Sequence, residues 1–184
     1  APNARSAEIL GMIKNDENWR ELTEQKYFDL LEKVRSGEVR KVLVVGDYAV
    51  ANQDLNDSFI EGVRAASCSV QITTRPVQAK EGADALLGTR AVARVVLPGR
   101  IVHERQGMMI NKDRRLQRLQ AILTAPEEVI ADWKVLKMIA EKNGKSILPS
   151  EISTEREIWK IIQSKVGQFK DYSYAAIGDK GKQL

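Results

Sequence analysis

Apolar positions in the first hundred residues alternate between helical spacing and short unbroken runs. WRELTEQKYFDLLEKVRSG, residues 19 to 37, spaces Leu22, Phe28, Leu31 and Val34 for one helical face and stops at Gly37, so it predicts a surface helix. KVLVVGD, 41 to 47, is a β-branched run ending at Gly46, the pattern of a strand buried on both faces. DSFIEGVRAAS, 57 to 67, predicts a helix with Asp57 at its cap and Phe59, Ile60 and Val63 inward, and CSVQITTR, 68 to 75, returns as a strand. EGADALLGTRA, 81 to 91, reads as a short helix before a third strand in ARVVLPG, 93 to 99. Strand, helix, strand, helix, strand implies parallel pairing with right-handed crossovers.

Helical spacing resumes further on. In TAPEEVIADWKVLKMIAEKNG, 124 to 144, Pro126 suits a first turn, Glu127 and Glu128 oppose the positive dipole end, and Gly144 follows the last turn. Its inward stripe is Val129, Trp133, Leu136 and Ala140. A second helix begins at Thr154, which has capping-box spacing to Glu157, and carries Ile158, Ile161, Ile162 and Val166 toward Gly167, with ILPSEIS as linker. The expected fold is therefore α/β, a three-layer parallel-sheet (Rossmann-like) domain with additional C-terminal helices. One domain over 1–184 is expected, with a sheet core at 1–123 and a helical extension at 124–184.

Between those regions, residues 98–120 fit neither spacing, and charge makes them conspicuous. They hold six cations (Arg100, Arg105, Lys112, Arg114, Arg115 and Arg118) against Glu104 and Asp113, which equals the whole chain's formal charge of +4. A nucleic-acid groove interleaves such charge with aromatics for stacking, yet no Phe, Trp or Tyr lies between Phe59 and Trp133. No nucleic acid is expected as a partner. The irregular basic excursion reads instead as a solvated or partner-facing segment.

Candidate chemistry is sparse. Cys68 and His103 are each the only residue of their kind, too few for a cluster or a structural zinc site built by this chain alone. Cys68, heading a strand, reads as a small buried apolar residue, and His103 as a hydrogen-bonded or exposed loop histidine. Trp133 and Trp159 lie on predicted helices and read as core. After Gly46 the chain continues DYAVANQDLN, without the second glycine or the immediate helix that a dinucleotide loop requires. With no apolar run of membrane-spanning length and no basic-then-apolar leader, direct membrane insertion is not expected. The expected location is cytoplasmic, including the cytoplasmic face of a membrane complex.

Thr89 to Gly144 resembles a stretch of the molybdopterin oxidoreductases, in particular the large iron–sulfur subunit of NADH-quinone oxidoreductase. The resemblance rests on Thr89, Ala91 or Ala93, Leu97, Pro98, Glu104, Gly107, Asn111, Arg115, Gln117, Asp132 and Trp133, in order and spacing. PNARSAEILG near the start and DYSYAAIGDKGKQL at the end look like outlying pieces of the same pattern. There are departures: GDYAV stands where many relatives have Gly-x-Asn-Pro, Arg94 where an acidic residue is usual, and Met108 where Thr is usual.

The resemblance implies a retained scaffold: a non-catalytic part of a multi-subunit NADH-, hydrogen- or formate-linked electron-transfer complex. It implies no cofactor in this chain, with iron–sulfur clusters, flavin or molybdopterin in partner subunits, among them iron–sulfur proteins. Pro98, Glu104, Gly107, Asn111, Arg115, Gln117 and Trp133 would be structural, and Asn111, Arg115 and Gln117 would fix the excursion by bonds to backbone. Arg100, Arg105, Arg114 and Arg118 lack a motif role and are expected to meet an acidic partner surface. Two other readings stay open: one piece of a split molybdenum or tungsten enzyme contributing to a molybdopterin guanine dinucleotide site, and a free-standing nucleotide-binding module.

Overall fold

A computed structural model describes residues 4–12, 19–46, 53–74 and 93–184. The helix expected at 81–91, together with Thr89 and Ala91, lies outside the described residues. Contacts divide the chain into two compact units, one of residues 20–101 and 125–132, the other of 1–19, 102–124 and 133–184. Both the sheet core and the helical extension of the sequence reading are thus shared between units.

In the first unit, strands β1 (Lys41–Val45), β2 (Cys68–Thr73) and β3 (Val95–Pro98) pair in parallel in the order β1-β2-β3. The α/β expectation holds. Helix α1 (Ala4–Ile9) belongs to the other unit; α2 (Trp19–Arg35) precedes β1, and α3 (Gln53–Ala65) makes the crossover to β2. Leu31 and Val34 of α2 are buried, as are Phe59 and Val63 of α3 and Ile72 of β2. The two helices meet where Gly62 leaves room for Leu31: a Cβ at that glycine would lie 2.8 Å from Leu31 Cδ2. An Arg35–Glu61 ion pair joins the same helices. Gly37 ends α2 at φ +80°, a left-handed position that glycine adopts without strain, as its place in the sequence predicts.

Three sequence expectations change here. β1 is not buried on both faces: it lies at the sheet's edge, with Leu43 and Val45 exposed, while central β2 buries even its polar Ser69, Gln71 and Thr73. Cys68 is exposed rather than buried, because it sits at the open first position of its strand. α3 starts at Gln53, four residues before the proposed Asp57 cap; in sequence, Leu55 extends the spacing of Phe59 and Val63 back by one turn.

The second unit is built on an antiparallel sheet, β4 (Gly107–Ile110), β5 (Arg115–Leu119) and β6 (Lys182–Gln183), with helices α4 (Asp132–Lys142) and α5 (Glu155–Lys165). Ile110, Leu116, Trp159, Phe169 and Ile177 form its core, and the Trp159 and Phe169 rings pack tilted at 46° with centroids 5.1 Å apart. α5 begins as expected, since Thr154 and Glu157 close a reciprocal capping box. α4 begins at Asp132 rather than in the 124–128 region. Residues 126–129 instead form a turn closed by Val129 N–H to Pro126 O at 3.0 Å, and the Val129 carbonyl accepts from Arg100 Nε at 3.3 Å.

Candidate functional site

The stretch that fits neither spacing turns out to contain an antiparallel hairpin. A 310 turn at Val102–Glu104 leads into a hairpin of β4 and β5, in register Met108–Arg118, Met109–Gln117 and Ile110–Leu116. The reading of 98–120 as irregular is therefore corrected. Each strand is only four or five residues long, and one of them carries two arginines, so hydropathy alone hides the alternation.

The hairpin turns on Asn111. Its Oδ1 accepts from the N–H groups of Asp113 at 3.0 Å and Arg115 at 2.8 Å, while its own N–H donates to Arg115 O at 3.1 Å. An Asn side chain that mimics a backbone acceptor is what makes this residue type suited to a tight turn. Arg114 completes the turn at φ 60°, the only non-glycine among the described residues with positive φ. Such a conformation costs a residue with a Cβ about 1 to 2 kcal/mol.

Arg115 Nη1 reaches across to Lys180 O at 3.2 Å, and Gln183 Nε2 donates to Asp113 O at 2.7 Å. Leu184 N–H closes on Arg114 O at 3.0 Å. The C-terminal residues thus clasp the turn. Gly181 allows it: a Cβ there would fall 2.5 Å from Leu116 O, and its φ is +70°.

Arg118 occupies a different position from the partner-facing one expected. Side chains two apart in a strand share a face, so Arg118 shares the face of buried Leu116. Its side chain is only 18% exposed, its Nη2 donates to Asp179 at 2.7 Å, and its guanidinium carbon lies 5.8 Å from the Tyr174 ring centroid. Arg156 approaches the same ring at 5.2 Å.

The remaining expected residues are spread over the fold. Pro98 ends β3 opposite Thr73, Gly99 N–H continues the ladder to Thr73 O at 2.7 Å, and Arg100 follows with its bond to Val129. Glu104 closes the 310 turn, Arg105 follows it half-buried, and Gly107 opens β4 at φ +153°. Gln117 pairs with Met109, and Trp133 sits in the first turn of α4, its Nε1 donating to Glu155 Oε1 at 2.8 Å. His103 is exposed, and its carbonyl accepts from both Ile122 and Leu123. Asn111, Arg115 and Gln117 share one hairpin; Pro98 and Arg100 belong to the parallel-sheet unit.

Sequence reading missed Lys137. Its ammonium, 13% exposed as a side chain, donates to the carbonyls of Pro149, Ser150 and Ile152 at 3.0, 3.0 and 3.1 Å and so ties the 147–153 linker to α4. On a helix bearing two other lysines nothing in the sequence singles it out. Among the described residues no three His, Cys, Asp or Glu side chains converge as metal ligands.

A parallel α/β sheet followed by an Asn-turned hairpin and an Asp-Trp helix is the arrangement against which comparison with known proteins is informative. Residues 83–142 match the family model "Molybdopterin oxidoreductase". The chain is 38% identical over 96 residues to the alpha subunit of F420-dependent formate dehydrogenase 1 of Methanococcus maripaludis, a match that covers 52% of this chain and 14% of that protein. It is 31% identical over 131 residues to the probable oxidoreductase YjgC of Bacillus subtilis, covering 69% of this chain and 12% of that protein. It is 28% identical over 116 residues to a nitrate reductase of Klebsiella oxytoca, covering 63% and 12%. The matched stretches thus cover only 12 to 14% of the length of these relatives.

The matched family model is named for a molybdopterin, a phosphate-bearing group that N–H donors and cations would hold. At the carboxyl ends of the parallel strands, where ligands of α/β sheets bind, the described residues are Gly46, Thr74, Gly99 and Arg100. Arg100 is the one cation among those four, and its Nε is engaged by Val129 O. Residues 47–52 and 75–92, which follow β1 and β2 in the chain, lie outside the described residues.

Proposed function

We propose that this chain is a structural, non-catalytic part of a formate-linked molybdopterin oxidoreductase assembly, its redox centres carried by other polypeptide. The observation that carries this reading is the use made of Asn111 and Arg115, residues of the family-like segment: their polar atoms are bonded to Asp113, Arg115 and Lys180 within one unit. Side chains committed to holding a turn shape a scaffold and leave little for a reacting molecule. Formate dehydrogenase alpha subunits from two methanogens among the relatives favour formate over NADH or hydrogen as the linked donor. Their designation as alpha subunits supports an assembly with partner chains. The likeness to the large subunit of NADH-quinone oxidoreductase belongs to the same reading at the level of shared family.

Asn111→Ala tests it. Removing the acceptor leaves the part-buried Arg115 N–H without it and returns the exposed Asp113 N–H to water, and should cost about 1 kcal/mol of stability in the hairpin unit. The assembled complex should then dissociate more readily while its midpoint potentials stay where they were. Potentials that shift in an intact assembly would contradict a purely structural role.

A further inference from the structure

The antiparallel-sheet unit carries a pocket of about 250 Å³, open to solvent on one side, that nothing above uses. Apart from Ser6 and Glu155 its walls are apolar, chiefly Met108 of β4, Ile158 and Ile162 of α5, and the two indoles of Trp133 and Trp159. Both indole N–H groups are already spent, Trp133 on Glu155 Oε1 and Trp159 on Tyr172 O, each at 2.8 Å. The walls therefore offer flat π surface and no free indole donor to an occupant.

The one carboxylate at the wall is Glu155. Oε1 accepts from Trp133, and Oε2 makes no hydrogen bond with a described residue. A carboxylate there repels an anionic ligand and accepts from an N–H. Size sets the other limit, since a dry apolar cavity of about 150 Å³ is enough for benzene. The present volume accommodates a fused bicyclic ring and little more.

We propose that this cavity binds a small, uncharged, bicyclic aromatic molecule bearing a single N–H donor, of the indole class, with the N–H directed at Glu155 and the ring held among Trp133, Trp159 and Ile162. The site stands apart from the scaffold reading and depends on it in no way.

Indole, naphthalene, indole-3-acetate and N-acetyl-tryptophanamide, titrated into the full chain by calorimetry, provide the test. Indole should bind saturably, naphthalene several-fold more weakly for lack of the N–H, and indole-3-acetate more weakly still. N-acetyl-tryptophanamide, whose backbone exceeds the cavity, should bind at least tenfold more weakly than indole. Ile162→Trp, which fills the space, should weaken indole binding at least tenfold while circular dichroism is retained. If that variant does not fold, Ile158→Phe serves the same purpose. Absence of saturable indole binding, indifference to filling, or no preference for indole over naphthalene would each overturn the site. Tighter binding of the tryptophanamide would overturn the small-molecule assignment in favour of a polypeptide side chain.

Discussion

Arg114 holds a left-handed conformation that favours glycine, at the tip of a turn already fixed by the Asn111 carbonyl and side chain. Arg114→Gly should relieve that strain and, after the entropy that glycine adds to the unfolded chain, raise stability by about 0.5 to 1 kcal/mol in urea titration. Glu157 offers a pH test. The Ser153 N–H first, then the Thr154 hydroxyl and N–H, hold its carboxyl down from 4.5 to about 2. A depressed carboxylate contributes stability that is full above its unfolded value and lost as pH falls through its folded one. The stability gap between wild type and Glu157→Gln should therefore narrow from pH 4.5 downward and close near pH 2. A gap that is constant across that window would show that the capping box does not hold the carboxylate in solution.

Elements that a single period defines were legible in the sequence: α2 with Gly37, the three parallel strands, and α5 with its Thr154 and Glu157 box. The hairpin was not, because its strands are short and Arg118 takes a core-facing position that hydropathy assigns to solvent. The start of α4 was misplaced because Pro126 and the residues after it close a separate turn, Val129 N–H to Pro126 O, before the helix begins at Asp132. Of the candidate site, Asn111 was legible as a bonder of backbone, whereas Lys137, Asp179 and Gly181 act through partners that no spacing rule reveals. Lys137→Met should cost about 2 kcal/mol, since three charge-assisted bonds to carbonyls disappear at once. Thermal denaturation measures this, and a change below a few tenths would mean that the linker holds itself. Gly181→Ala should be worse than a typical surface change, because the new Cβ meets Leu116 O and the backbone is left-handed. Loss of amide protection confined to β5 and β6 would be its signature.

For the whole molecule, the chain divides into two compact units, its matched stretches cover 12 to 14% of the relatives' length, and the Asn111 and Arg115 side chains are turned to internal bonding. No helix among the described residues is long and apolar enough to cross a membrane. The scaffold proposal makes such a chain part of something larger. The most direct measurement is affinity purification of the tagged chain from its native host under non-denaturing conditions, followed by mass spectrometry and metal analysis of the assembly. The account predicts a defined complex containing a polypeptide of the molybdopterin oxidoreductase family, with molybdenum or tungsten that stays bound to that polypeptide when this chain is stripped away. A tagged chain that runs alone, or metal that leaves with it, would contradict the account.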